Sequence, residues 1–262
     1  MRIVLSNILA IYRRELQSYF ASPLASVVAG VFWLLAGFFF VNLLNAFNLE
    51  VLRADSLGNT TPLDVPYQFL QSFLGVLSSV ALFLLPILSM GLYAEERKRG
   101  TLELLATSPV TNWAVALGKL LAVVTFFLTM VLPLLLYEAI AFSATNPPMN
   151  LGIVFLGHLG LVLLAAAVLS LGMFISSLTD STILAAVFTF GLVIFLWVID
   201  LLGQRLGGPL GNALGHLSLL KHFGNLSQGI VDSGSLVLFG SYIVLGLFLT
   251  AQSVDAFRFQ RS

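Results

Sequence analysis

Residues 93–119 read YAEERKRGTLELLATSPVTNWAVALGK. Six charges, Glu95, Glu96, Arg97, Lys98, Arg99 and Glu103, fall within nine positions, and the chain on either side is apolar. A hydrocarbon core of roughly 30 Å is crossed by about 20 mostly apolar residues in helical form. The flanking runs, 69–92 and 113–140, therefore read as spans and the charged stretch as the bend between them. Four more runs of spanning length occur, at 24–44, 151–178, 181–201 and 236–256. None alternates in the manner of a barrel strand, and in lipid only helices or closed barrels satisfy the backbone. The expected fold is an all-α integral membrane protein, one transmembrane domain of six spans over residues 1–262.

Composition supports this. The chain is 58% hydrophobic and 9% charged, with mean hydropathy +1.00, against about a quarter charged for a soluble domain. Net charge is zero, which argues against a nucleic-acid partner, because phosphate binding requires an excess of Lys and Arg. Cysteine is absent, so disulfides, thiol catalysis and thiolate metal sites are excluded, and no metal site is expected. The first apolar run follows Arg13, Arg14 and Glu15 without a small-residue cleavage site, so no removable signal peptide is expected.

Lys and Arg in short connections set orientation. Six spans put both termini on one side with the 93–112 and 179–180 bends. That side carries Arg2, Arg13, Arg14, Arg97, Lys98, Arg99, Lys119, Arg258 and Arg261, against Arg53, Arg205 and Lys221 on the other. The expectation is a plasma (inner) membrane protein with both termini cytoplasmic. On the outer side, 45–68 reads as a polar loop with room for one short helix. Residues 202–235 break at glycines into pieces too short to span, which fit short helices lying in the interface or re-entering it, or a structured loop.

Before the first span, Ile8, Ile11, Tyr12, Leu16, Tyr19 and Phe20 recur at helical spacing while Arg13, Arg14 and Gln17 face elsewhere. Residues 1–23 are thus expected to form an amphipathic helix along the inner leaflet, its arginines at the lipid headgroups. Pro23 suits the first turn of the span that follows.

Positive-inside flanking accounts for Arg97, Lys98 and Arg99 but not for Glu95, Glu96 and Glu103, since acids contribute little to orientation. Gly100 is expected to end the descending helix. Thr101 can cap a short helix, LELLAT, with Glu103 near its positive end, and Pro109 stops it. Such a helix presents Leu102, Leu104 and Leu105 beside mixed charge. That suits docking into a cleft of a soluble partner, where the charges set partner and register; a salt-bridged turn without a partner is the plainer alternative.

At these residues the chain resembles the membrane subunits of ABC-2 type transporters. The stretches that carry the likeness are RRELQSYFASPLA, EERKRGTLELLATSPVTNWAVALGK and SSLTDSTILAA. Within that family it looks most like the gliding-motility type permeases, through LLKHFGNLSQGIVDSGSLVLF, although a second acid expected near Ser235 is missing. The resemblance implies a coupling helix between spans 2 and 3 seated on a cytoplasmic ATPase. Its contact residues would be Glu95, Glu96, Arg97, Lys98, Arg99, Gly100, Thr101, Leu102 and Glu103, with Arg13, Arg14 and Glu15 as a second contact. It also implies two ATPase subunits and a second permease half, the same chain or a related one, and movement of substrate by ATP hydrolysis, with export favoured. No G-x-x-x-x-G-K-[ST] loop occurs in this sequence, so ATP and Mg belong to the partner and the chain itself is non-catalytic, binding no cofactor.

Glu138, His158 and Asp200 are the chief ionisable groups at membrane depth. Intramembrane charge suggests function by default, but Glu138 and Asp200 lie near span ends where they can snorkel, and a neutral His158 needs a single hydrogen bond. Two other functions compete. One is an ATP-driven mechanical or assembly component of an envelope machine through which nothing passes. The other is an ATP-independent secondary transporter, which would prefer paired midplane charges and inverted repeats.

Overall fold

The computed structural model describes residues 2–56, 64–101, 110–143, 145, 149–206 and 208–259. Among them the chain forms ten helices and no strand. In order these are α1 (Arg2–Ala21), α2 (Pro23–Ser56), α3 (Val65–Ser89), α4 (Gly91–Lys98) and α5 (Asn112–Ser143), followed by α6 (Leu151–Leu178), α7 (Thr182–Leu206), α8 (Gly208–Leu217), α9 (Leu219–Ser227) and α10 (Ser233–Phe259). Six stretches are long and apolar enough to cross a membrane: Pro23–Ala54, Val65–Lys98, Asn112–Ser143, Leu151–Leu178, Thr182–Gly203 and Ser233–Ala256. The six expected spans are all present, and α3 with α4 makes one of them.

Local chemistry marks several boundaries. Pro23 opens α2, as its missing N–H predicts. The Asp64 carboxylate accepts the Tyr67 N–H at 3.3 Å, the Asn150 side chain accepts the Gly152 N–H at 2.9 Å, and Ser218 Oγ accepts the Lys221 N–H at 3.0 Å. Each satisfies a backbone donor that a helix start leaves open.

One boundary departs from the sequence reading. The first span was expected to end at 44 with a polar loop after it, yet α2 continues to Ser56. Leu43, Phe47, Val51 and Ala54 make a half-buried stripe at helical spacing along this extension, and the Phe47 ring meets Phe69 at 6.0 Å. A side-on apolar contact holds this extension against α3. The remainder of the 45–68 connection, residues 57–63, lies outside the described residues. The 202–235 stretch contains two short helices, α8 and α9, joined to α10 through a hydrogen bond between His222 Nδ1 and Ser235 Oγ at 2.8 Å.

α6 is the spine of the bundle, packed by α3, α4, α5, α7, α9 and α10. Every residue from Leu164 to Met173 is buried. The small residues of LAAAVLSLG let neighbouring helices approach closely, as bundle interfaces in lipid require. α2 and α7 sit at the periphery, with most of their apolar side chains facing outward.

α6 also shapes the second span. Pro86 lacks the N–H that a regular helix would donate to the carbonyl four residues earlier, and a turn later the helix is interrupted at Met90, between α3 and α4. There the Ser176 hydroxyl of α6 enters the backbone ladder. It accepts the N–H groups of Ala94 and Tyr93 at 3.0 and 3.1 Å and donates to the Met90 carbonyl at 2.7 Å. A side chain inserted into the ladder is a recognised cause of a bend. Removing it leaves buried backbone groups either unpaired or free to close directly on one another. Ser176→Ala is expected to cost about 1–3 kcal/mol. Thermal unfolding reports the loss; an unchanged midpoint would contradict the assignment.

Candidate functional site

The charged bend grows out of α4. Buried Leu92, Tyr93 and Ala94 anchor that helix, and Arg97 Nη1 donates to the Ser177 carbonyl of α6 at 3.0 Å. The end of α4 is closed by backbone chemistry. Gly100 takes φ +71°, its N–H donates to the Arg97 carbonyl at 3.1 Å, and the Thr101 N–H donates to the Glu96 carbonyl at 3.0 Å. This pair of bonds around a left-handed residue is the Schellman arrangement, and it favours glycine at that position. The expectation that Gly100 ends the helix is met, through this left-handed cap rather than through low helix propensity alone. The bend thereby leaves the bundle in a set direction. Leu102 and Glu103, with the rest of LELLAT and Pro109, lie outside the described residues.

The five described charges of the bend do not act alike. Glu95 and Arg99 pair with each other at 3.5 Å one helical turn apart, both well exposed, and Lys98 is exposed as well. Glu96 turns inward. One of its oxygens meets the Lys119 ammonium at 3.0 Å, and the same ammonium reaches a Glu15 carboxylate oxygen of α1 at 3.2 Å. Lys119 is only 3% exposed in its side chain, whereas Arg14, 3.6–3.7 Å from both carboxylates, is 71% exposed. Solvent screening makes the Arg14 contacts weak; the Lys119 contacts are largely buried and charge-assisted. The Tyr93 ring lies 5.2 Å from the ammonium and adds a cation–π contact.

Lys119 thus joins three segments: α1 through Glu15, α4 through Glu96 and Tyr93, and α5, which carries it. Packing fixes the same junction. At Gly118 an added Cβ would lie 2.9 Å from the Ile11 side chain and 3.2 Å from the Ile8 carbonyl, so α1 lies against α5 at a separation that only glycine permits. Tyr19 stacks on Phe126 at 5.3 Å and donates its hydroxyl to the Leu88 carbonyl at 2.7 Å. Burial first, then the Glu15 and Glu95 carboxylates, push the Tyr19 phenol above its ordinary range, so it stays a donor. A cleft of about 570 Å³ opens beside this junction, lined by Glu15, Tyr19, Glu95, Glu96, Arg99 and Lys119 among others.

The structure therefore sorts the residues singled out in sequence. Glu15, Glu96 and Arg14 meet in one ionic junction; Glu95, Lys98, Arg99 and Arg13 face outward; Arg97, Gly100 and Thr101 shape the bend. Sequence reasoning missed Lys119, counting it only as a charge that sets orientation. Apart from Glu138 it is the one charge in the 113–140 run, and that isolation was the available signal. Ser176 and Ser177 were also missed, although both lie in the SSLTDSTILAA stretch.

The intramembrane groups gather differently. Glu138 was expected to snorkel; instead it is fully buried, with His158 Nε2 3.6 Å from its carboxylate. It faces His158 across the contact between α5 and α6. Asp200 belongs to α7, and its side chain lies outside what is described. No group of three or more His, Asp or Glu able to hold a metal occurs among the described residues.

The fold and this junction define a multi-pass helical membrane protein with a charged, tethered bend at one end. A model of the ABC-2 family transporter proteins matches residues 56–203, more than half of the chain and all of the bend. The chain belongs to this family. No match to a curated protein was found.

Lys119→Met would leave Glu15 and Glu96 facing each other with only the exposed Arg14 beside them. Removing one partner of a buried ionic cluster costs about 3–5 kcal/mol, so a large drop in thermal stability is expected. Adding Glu15→Gln and Glu96→Gln should restore most of it. Equal instability of the single and triple variants would show that packing, and not charge, holds the junction.

Proposed function

We propose that this chain is the membrane-spanning permease subunit of an ATP-driven ABC transporter. It would work with a second permease half, the same chain or a relative, and with two cytoplasmic ATPase subunits that bind ATP and Mg. Both termini and the 93–112 bend lie in the cytoplasm in this reading, α1 lies along the inner leaflet, and the direction of transport is export. The likeness of 219–239 to gliding-motility permeases supports that branch.

The observation that carries the reading is the Lys119 junction in a member of this family. A bend that only flanked a span would need no internal tether. Here the segment that would meet the ATPase is tied to α1 and α5 by a largely buried ionic contact and to α6 by Ser176 and Arg97. Force applied to the bend would move these helices together. Only contacts that differ between nucleotide states can shift the equilibrium between them, and the exposed charges Glu95, Lys98 and Arg99 are placed to supply such contacts with a partner.

The test uses residues outside the junction. Glu95→Lys, Lys98→Glu and Arg99→Glu combined should lower the ATPase that co-purifies with the wild-type chain, or its coupled turnover, by about tenfold or more, with thermal stability little changed. If both association and coupled turnover survive the reversal, the docking role is wrong.

A further inference from the structure

Five buried side-chain oxygen or nitrogen atoms lack a hydrogen-bond partner among the described residues, and three of them sit in one place: both carboxyl oxygens of Glu138 and Nε2 of His158. Buried polar groups are almost always satisfied, so a cluster of exceptions calls for a physical cause. The pair belongs to neither the Lys119 junction nor the bend. It lies toward the other ends of α5 and α6, where the short 144–150 connection joins the two helices.

The geometry limits the protonation states. His158 Nδ1 lies 2.9 Å from the Val154 carbonyl, which can only accept, so Nδ1 carries a hydrogen. Nε2, facing Glu138 Oε2 at 3.6 Å, is then either a bare lone pair or the second N–H of an imidazolium. With no proton between them, a carboxylate would face a lone pair inside an apolar bundle, two acceptors without a donor. With one proton, either a carboxylic acid donates to Nε2 or an imidazolium donates to the carboxylate, and the pair is neutral overall. The gap is longer than a formed hydrogen bond, and a shared proton is what would draw it shut.

Among the described residues, neighbouring charges do not offer another solution. Among the described residues the two ion-pair only with each other. Tyr67 on α3 donates to the Gln228 carbonyl, and Tyr242 on α10 donates to the Leu217 carbonyl. His222 on α9 bonds Ser235 and the His216 carbonyl, and Asp232 accepts the Gly234 N–H. Glu50 and Arg53 on α2, Tyr137 on α5 and Lys221 on α9 face outward.

We propose that Glu138 and His158 form a proton-binding site, holding one proton between Oε2 and Nε2 and thereby clipping α5 to α6 at the end remote from Lys119. The proton binds without any covalent change. Its loss as pH rises leaves a buried carboxylate without a donor and loosens the hairpin.

Glu138→Gln tests this directly, because its amide N–H can donate to Nε2 at any pH. The wild-type melting temperature should fall by roughly 5–10 °C on moving from neutral to alkaline pH relative to that of Glu138→Gln. Infrared difference spectra of the wild type should carry a protonated-carboxyl or imidazolium signal that vanishes over the same range and is absent from the variant. A carboxylate beside a neutral imidazole already at neutral pH, or identical pH dependence in both proteins, would overturn the proposal. The wild-type spectrum alone decides the matter if Glu138→Gln does not fold.

Discussion

An ammonium group taken out of water must bring its own partners, because an unpaired buried charge is far costlier than the packing around it can offset. At Lys119 that requirement organises one end of the molecule. Its two carboxylate partners come from α1 and α4, and the aromatic ring beside it also comes from α4. None of the three segments can shift alone without stranding a charge. Apolar contacts between helices in lipid are non-directional and tolerate sliding; this contact does not. The same site holds the close approach of α1 to α5 at Gly118, so steric and electrostatic constraints agree on one arrangement.

The rest of the fold extends this rigidity. Ser176 occupies the ladder of the second span at its break, and Arg97 reaches the end of α6. The bend is thus referenced both to the peripheral helix α1 and to the central helix α6, and Gly100 sets the direction in which the chain leaves. Displacement entering at the bend would be delivered to the spine of the bundle. At the remote end of α5 and α6 the tie is of another kind, a carboxyl and an imidazole facing each other.

Much of this was readable from the residues. Six spans follow from run lengths, and Pro23 and Gly100 announced their boundaries. The length of α2 was not readable, because beyond Leu44 the chain stops looking like lipid-embedded helix and its stripe at 43, 47, 51 and 54 acquires meaning only once Phe69 is beside it. The split of the charged bend into exposed Glu95 and Arg99 and inward Glu96 was hidden for a similar reason. Its cause is Lys119, on a different helix, and the second carboxylate comes from α1. The Glu138–His158 pairing left a fainter trace: the two stand at similar distances from the turn of one hairpin, so antiparallel packing places them at the same depth. Judging each residue alone concealed this.

The central claim is that α1 and α4 move as one body through Lys119. The chain contains no cysteine, so spin labels can be attached at Gln17→Cys on α1 and Gly91→Cys at the start of α4, both outside the junction and apart from the charges proposed to meet the ATPase. The distance between them should be measured in the assembled transporter without nucleotide and with ATP trapped. An unchanged distance distribution is predicted, even as labels on the partner halves move relative to one another. A shift or a second population on trapping ATP would mean that the junction opens during the cycle, and the account would be contradicted.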